Sequence, residues 1–521
     1  MSPRAARRFP RGVVATPHHL ASATGVAVLA QGGNAMDAVI AANLTLGVVA
    51  PYACGYGGDL FAIVWDGALT GYLGSGRSAG GATLDSMTGR SDGPWMPVLG
   101  PDSVTVPGAI AGWFDLLARW GTRDVASLVG DAVSYARDGF AVSDDAARMF
   151  HDGRRMYPAA NPWYGAWHAV YGDVGGGTWL RQPALARTIE TLAADGPDAY
   201  YRGPIGEAIV ETLGAHGGAM AAADLTAHVG EWVDPLHGAY RDVDVVELPP
   251  PTQGVTALEA LRLLDGLPLP PDGPARQHLL IEALKLALVD RDEWVSDPAA
   301  MPHPASHLLA TPYLAARRAT LRADAAGTPA AGVPQPGGTA YLCAADGDGL
   351  LVSLIQSNFL HFGAGVHVPK WGVNLNNRGS SFSLDGGRVN AFAPAKRPLH
   401  TLIPAMALRD GVPHLVFGSM GGDAQPGVHV QLLAHLIDDG ADPAAAVAAP
   451  RWRVDPGSWR VRAESRFGPA FADALRAFGH EVVDAPPYDA NMGHAHVIRV
   501  EAGGGYAAVA DTRSEGLALG H

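Results

Sequence analysis

The chain is expected to fold as a layered α+β sandwich, and three observations along its 521 residues carry that expectation. Helical patterns dominate up to a connector at 321–338, rich in Ala, Pro and Gly. Strand patterns take over directly after the connector. A final hairpin at 495–511 closes the chain with strands.

In order, 21–31 reads as a helix stopped by Gly32-Gly33, and 35–49 as a second that ends before Pro51. Residues 60–65 and 69–73 form a hairpin across the Asp66-Gly67 turn. Helical periodicity follows at 109–120, 125–137, 181–193 and 204–215. A strand at 239–247 runs into Pro249-Pro250-Pro251, and helices occupy 255–264 and 275–295. Beyond the connector, strands are expected at 340–345, 350–357, 400–409 and 413–418, and helices at 428–438 and 468–478. No repeat at solenoid or propeller spacing is present.

Composition excludes several classes. Hydrophobic residues are 48% and charged residues only 17%, which speaks for a large interior. The 66 glycines and 40 prolines make loops without reaching low complexity. A net charge of −14, from 37 basic and 51 acidic residues, leaves no basic stripe for nucleic acid. The one basic cluster, Arg4, Arg7, Arg8 and Arg11, reads as a frayed tail. Phe9-Pro10-Arg11-Gly12 interrupts any apolar region behind it, so no signal peptide is expected. The best apolar stretch, 38–50, is too short to span a bilayer. Cys54 and Cys343 make no disulfide framework and suit a reducing compartment. The reading is a cytoplasmic protein with neither nucleic-acid nor membrane partners.

The standard sites mostly fall away. The lysines are Lys285, Lys370 and Lys396, none after a glycine, so there is no P-loop. His303/His307 and His494/His496 lack a third ligand, and neither a metal nor a cofactor is expected. Gly76-Arg77-Ser78-Ala79-Gly80 fits G-x-S-x-G, but Gly80-Gly81-Ala82 is a poor helix start for a nucleophile elbow.

Thr339 is the sharper candidate. A threonine opening a strand is ordinary β chemistry. If the Gly338–Thr339 bond were cut, however, Thr339 would carry both a hydroxyl and an α-amine with a pKa of about 7.7–8. One residue would then supply nucleophile and base. Gly418-Ser419-Met420-Gly421-Gly422-Asp423, between a strand and a helix, offers a nest of N–H groups for an oxyanion.

With these pieces in place the sequence resembles the γ-glutamyltranspeptidase family of N-terminal-nucleophile (Ntn) hydrolases along nearly its whole length. The matching segments, in family order, begin with Val14-Ala15-Thr16-Pro17-His18, Gln31 to Ala38, Gly55-Tyr56-Gly57-Gly58 and Val106-Pro107-Gly108. They continue with Tyr135 to Phe140, Pro249 to Thr252, and Glu282 to Ala287 leading to Asp290-Arg291. After the connector come Thr339 to Asp346, Asn376-Asn377-Arg378, Lys396-Arg397-Pro398-Leu399 and Gly418 to Asp423. The resemblance implies a four-layer αββα Ntn-hydrolase sandwich. It also implies a proenzyme that cuts itself between Gly338 and Thr339 into a large chain, 1–338, and a small chain, 339–521, held as a heterodimer.

Carried over by position, Thr339 is the implied nucleophile, Gly421 and Gly422 the oxyanion hole, and Ser357 the hydroxyl that orients the nucleophile. Asn358 lies one place from a substrate-contacting asparagine, and Asn377 and Arg378 sit where Asn and Gln line the pocket. The departures concern the glutamyl clamp. Ser381 stands where glutamyl-transferring members keep an acid for the α-amine, and His400 and Thr401 replace two serines that hold the α-carboxylate. Arg77 is matched to the carboxylate-binding arginine with spacing off by about two residues. Asp423 is an acid able to reach the amine from elsewhere. The stretch 383–395 is shorter than the lid of many members.

The expected activity is therefore self-processing amide hydrolysis through an acyl-enzyme on Thr339, with a small-molecule amide whose acyl group is non-glutamyl, such as a dicarboxylic monoamide. A γ-glutamyl hydrolase or transferase acting on glutathione is the main alternative. From another class, the alternatives are a non-catalytic scaffold or a hydrolase using Ser78. Higher oligomers are left open.

Overall fold

Two seven-stranded antiparallel sheets stack face to face, and helices cover the outer side of each. The computed structural model describes residues 5–91, 93–328 and 338–521. The first sheet runs Leu517–Gly520, Val13–Thr16, Gly338–Ala345, Leu351–Phe359, Asp59–Trp65, Leu69–Gly74, Glu231–Val233. The second runs Arg7–Phe9, Tyr506–Val509, Ala495–Val500, Val412–Ser419, Ala405–Arg409, Val243–Glu247, Leu236–Tyr240. The expected αββα sandwich is the observed one.

Strand alternation builds the layers. In Gly338–Ala345, the side chains of Tyr341, Cys343 and Ala345 enter the core between the sheets with Phe61, Ile63, Met406 and Val416. Ala340, Leu342 and Ala344 point the other way, onto the helices His19–Ala30 and Ala35–Val49. Because both faces are buried, the strand reads as a near-continuous apolar run. Helix Ala35–Val49 is buried along its whole length, and a capping box closes its start: Asn34 accepts from the Asp37 N–H, and Asp37 from the Asn34 N–H. Helices Gly254–Leu264, Pro274–Trp294 and Gln425–Leu433 cover the second sheet.

Several elements differ from expectation. The N-terminal arginines are not a frayed tail throughout: Arg7–Phe9 is an edge strand paired with Tyr506–Val509, and Ala6 packs against Ala444 and Ala507. The strand read at 239–247 is the hairpin Leu236–Tyr240 and Val243–Glu247, turned at Arg241, whose φ is 56°. The helix at 125–137 breaks into Val125–Leu128 and Gly130–Asp138. The strand at 400–409 starts only at Ala405, because 400–404 bends away to join the site. Helix Asp144–Met156 lies within the stretch of about 109–230 read as helical, without having been singled out, and the three-stranded sheet of Trp452–Asp455, Arg460–Glu464 and Val482–Ala485 was not anticipated. Half of the connector read at 321–338, residues 329–337, lies outside the described residues. Among the described residues no helix is long and apolar enough to cross a membrane, and Cys54 and Cys343 are buried free thiols.

Candidate active site

The strand pairing places Thr339 at a local irregularity. Gly338 faces Phe359 and Ala340 faces Gln356, so Thr339 sits against the Ser357–Asn358 stretch. Thr339 is 4% exposed, and its Oγ1 lies 3.4 Å from Ser357 Oγ, a long hydrogen bond. Ser357 Oγ also accepts from the Phe359 N–H at 2.7 Å, which fixes the hydroxyl beside the threonine.

The glycine loop comes from the opposite sheet. Gly418 packs flat on the Tyr341 ring, where a Cβ would fall 2.4 Å from Cε2, so the strands carrying Thr339 and the loop lie face to face. Strand Val412–Ser419 then runs into Gly421 and Gly422, with φ of 128° and 59°, a region that favours glycine. Met420 N–H donates to His494 O at 2.8 Å before the loop, and Ala424 N–H to Gly421 O at 3.1 Å within it.

An open cleft is lined by Phe359, Ser381, Thr401, Arg291, Asp292, Arg388 and Asp423, among others. Behind two of these lining residues Arg378 is fully buried, its guanidinium 3.8 Å above the Phe359 ring and its Nη1 donating to Thr401 Oγ1 at 3.3 Å. Nε and Nη2 of Arg378 and the hydroxyl of Ser381 have no hydrogen-bond partner among the described residues. Burial pulls the guanidinium down to about 9, against the pull of Asp59 and Asp423. Arg291 lies between two carboxylates, 2.6 Å from Asp423 and 2.7 Å from Asp292. Burial works against its charge, but the two acids outweigh it.

Other expected contacts are corrected. Asn358 points to the opposite face of its strand from Ser357 and packs on Gly55 and Gly58, its Nδ2 3.5 Å from Pro51 O; Phe359 takes the cleft position. Asn377 is a brace, its Oδ1 accepting from Leu360 N–H at 2.8 Å and its Nδ2 donating to Val98 O at 3.1 Å. Arg77 spends its guanidinium on Asp297 and the Ala395 carbonyl, both at 3.0 Å, and half of its side chain is in solvent. His400 is fully buried against Phe61 and brings no positive charge: burial first, then Arg378 and Arg397, hold it well below the usual imidazole range. Ser78 is no nucleophile elbow, since its hydroxyl donates to Ala393 O at 2.6 Å and accepts from Lys396 N–H at 3.1 Å.

Four site residues escaped the sequence reading. Asp59 follows Gly57-Gly58, one place beyond the matched segment; its Oδ2 lies 3.6 Å from His400 Nε2, and burial raises its carboxyl to about 7. Gln253 directly follows the matched Pro249 to Thr252 and donates from Nε2 to the carbonyls of Thr401 and Gly422. Arg291 and Asp292 stand at the end of a matched helix whose position over the cleft depends on packing alone.

Among the described residues His278, Glu282 and His480 form the one group with metal-ligand chemistry. A cation already fills it: Lys285 Nζ lies 2.9 Å from Glu282 Oε1 and 3.3 Å from His480 Nδ1. His480 Nε2 faces His278 Nδ1, and His278 Nε2 faces Arg322 O, each at 2.8 Å, so two neutral rings are satisfied without a metal. His303 and His307 simply stack on each other at 5.6 Å.

Two packed seven-stranded antiparallel sheets with helices on both outer sides define the class as an Ntn hydrolase. The chain belongs to the γ-glutamyltranspeptidase family, whose model matches residues 21–521. It is 36% identical to the glutathione hydrolase-like YwrD proenzyme of Bacillus subtilis and 35% to the oxamate amidohydrolase proenzyme of Klebsiella pneumoniae, each over 98% of both chains. Among solved structures, cephalosporin acylase from Bacillus halodurans superposes with a TM-score of 0.95 at 34% identity, covering 100% of this chain and 98% of the other. The protein is an amidohydrolase-type enzyme of this family.

Proposed function

We propose that the chain matures by cleavage between Gly338 and Thr339 and then hydrolyses the amide of a small dicarboxylic monoamide through an ester on Thr339. The two products, 1–338 and 339–521, remain one heterodimer because both sheets draw strands from each side of the cut. The freed α-amine takes the Oγ proton as Oγ bonds to the amide carbon. The N–H groups of Gly421 and Gly422 receive the oxyanion, and Ser357 keeps the hydroxyl in line. Collapse breaks the C–N bond, with the proton passing to the leaving amine. Water then attacks the ester and releases the acid.

The observation that carries the acyl assignment is Arg378, a buried guanidinium bonded to the cleft residue Thr401, whose Nε and Nη2 have no partner among the described residues. Buried cationic donors without acceptors, set directly behind the wall of a cleft, favour an anionic group there. Oxamate, in the name of one relative, is itself such a monoamide. A second reading, γ-glutamyl hydrolysis or transfer, is favoured by Asp292, whose buried Oδ2 is unpaired and which shares Arg291 with Asp423. The relatives named glutathione hydrolase point the same way. The test compares kcat/KM for a γ-glutamyl anilide and its des-amino glutaryl analogue. The glutaryl compound should win; a tenfold preference for the γ-glutamyl compound would transfer the assignment to the second reading.

A further inference from the structure

We propose that Gln253 is a positioning residue for the glycine loop, an inference that rests on the oxyanion role given to Gly421 and Gly422 above. Its side chain is fully buried and joins three segments far apart in sequence. Nε2 donates to Gly422 O at 3.0 Å and to Thr401 O at 3.1 Å, while Oε1 accepts from Arg291 Nη1 at 2.7 Å. The main chain is tied as well: Gln253 N–H donates to His400 O at 2.9 Å, and Thr252 bridges His400.

The loop needs such a tie because of its own composition. Two consecutive glycines at positive φ have no side chains to lock them, and glycine has the largest conformational freedom of any residue. Oxyanion stabilisation depends on donors already aimed before the charge develops. Met420 N–H fixes the entry to the loop, Gly421 O is held by Ala424 N–H, and Gly422 O is shared by Gln425 N–H and Gln253 Nε2. Of these four restraints, only that of Gln253 comes from a side chain, and it alone ties the loop to the Thr401 and Arg291 segments. Arg291 sets which way the amide points: its guanidinium requires Oε1, so the NH2 must face the two carbonyls. Arg291 is in turn fixed by Asp292 and Asp423. Glutamate at 253 would set an oxygen against two carbonyl oxygens, and leucine would fill the volume with no donor.

The experiment is a double-mutant cycle of Gln253→Leu and Gly421→Ala, measured with the better of the two anilides. Intact mass confirms maturation, and burst titration gives the concentration of active sites. Gln253→Leu should lower kcat about 10- to 100-fold, part of what a lost oxyanion donor costs, with KM changed less than about threefold. Gly421→Ala should cost about 100-fold, and the double variant should be no more than about threefold worse than the poorer single. A double loss equal to the product of the singles would show that Gln253 acts elsewhere and overturn the inference. Wild-type kcat in Gln253→Leu beside a crippled Gly421→Ala would also overturn it, while leaving the loop's role standing. Normal turnover in Gly421→Ala would instead remove the oxyanion assignment itself. Should Gln253→Leu fail to mature, Gln253→Glu keeps the shape and the Arg291 contact and takes its place with the same expected loss.

Discussion

The guanidinium of Arg378 lies 3.8 Å above the ring of Phe359, the residue that faces Gly338 across the strand pair. The buried guanidinium is thereby held beside the Thr339 end of its strand. The aromatic face steadies the cation without consuming its N–H groups, and Nε and Nη2 have no partner among the described residues.

Replacing Arg378 by Gln should therefore act on substrate charge. A hydrogen bond to a charged group is worth about 1.5–3 kcal/mol, so KM for the glutaryl anilide should rise by roughly 10- to 100-fold. A neutral butyryl anilide should be little affected. Equal losses on both substrates, measured by steady-state kinetics, would mean that Arg378 supports the fold rather than the acyl group.

Ser357 should matter to chemistry more than to binding. Ser357→Ala removes the hydroxyl 3.4 Å from Thr339 Oγ1 and is expected to slow both maturation and kcat by about 10- to 100-fold, through loss of orientation. Ser357→Thr, which retains a hydroxyl, should recover most of the rate. A time course of fragment appearance and kcat at saturating substrate checks both effects.

Asp59 should make stability depend on pH. Its Oδ1 accepts from Gly76 and Gly108 N–H groups at 3.4 and 3.3 Å. Burial lifts the carboxyl from 3.8 to about 7 against those donors and Arg378. The folded chain thus holds a proton that the unfolded chain has lost between about pH 4 and 7. Its contribution is fully present below that window, falls as pH rises through it and is flat above. Asp59→Asn keeps an Oδ1 acceptor and removes the titration. Relative to its effect at pH 4, the variant should gain about 2–4 kcal/mol by pH 8. Urea midpoints across this range test it, and parallel curves for the two proteins would contradict it.

Ser78→Ala should mature and turn over at the wild-type rate. Its cost should be stability alone, about 1–3 kcal/mol, because Ala393 O and Lys396 N–H lose their shared partner in a buried loop. A processed but inactive Ser78→Ala enzyme would revive the serine-based alternative.

Where chemistry resides in backbone conformation or strand alternation, the sequence was readable. Gly421-Gly422 follows an apolar strand and Thr339 opens one, as their sequence context suggests, and helices 109–120 and 204–215 matched their apolar periodicity. Facing was harder to read. Asn358 and Phe359 differ by one residue, and the irregularity at Thr339 decides which of them meets the cleft. Long-range pairing was hidden altogether. Nothing local to Arg77 tells that Asp297, 220 residues away, takes its charge, nor that His400 is sealed against Phe61. Gln253 was missed because an amide has no signature until its three partners are folded around it.

The central claim is that Thr339 becomes the N-terminal nucleophile, and intact mass spectrometry of the purified wild type and Thr339→Ala tests it most directly. By share of length, a 54.0 kDa chain of 521 residues cut after residue 338 gives fragments of about 35 and about 19 kDa. The wild type should show both, the smaller one beginning at Thr339 and gaining the mass of the acyl group when quenched during turnover. Thr339→Ala should remain a single 54.0 kDa chain without activity. A fully active, uncut wild type, or an acyl adduct on the larger fragment, would contradict the account.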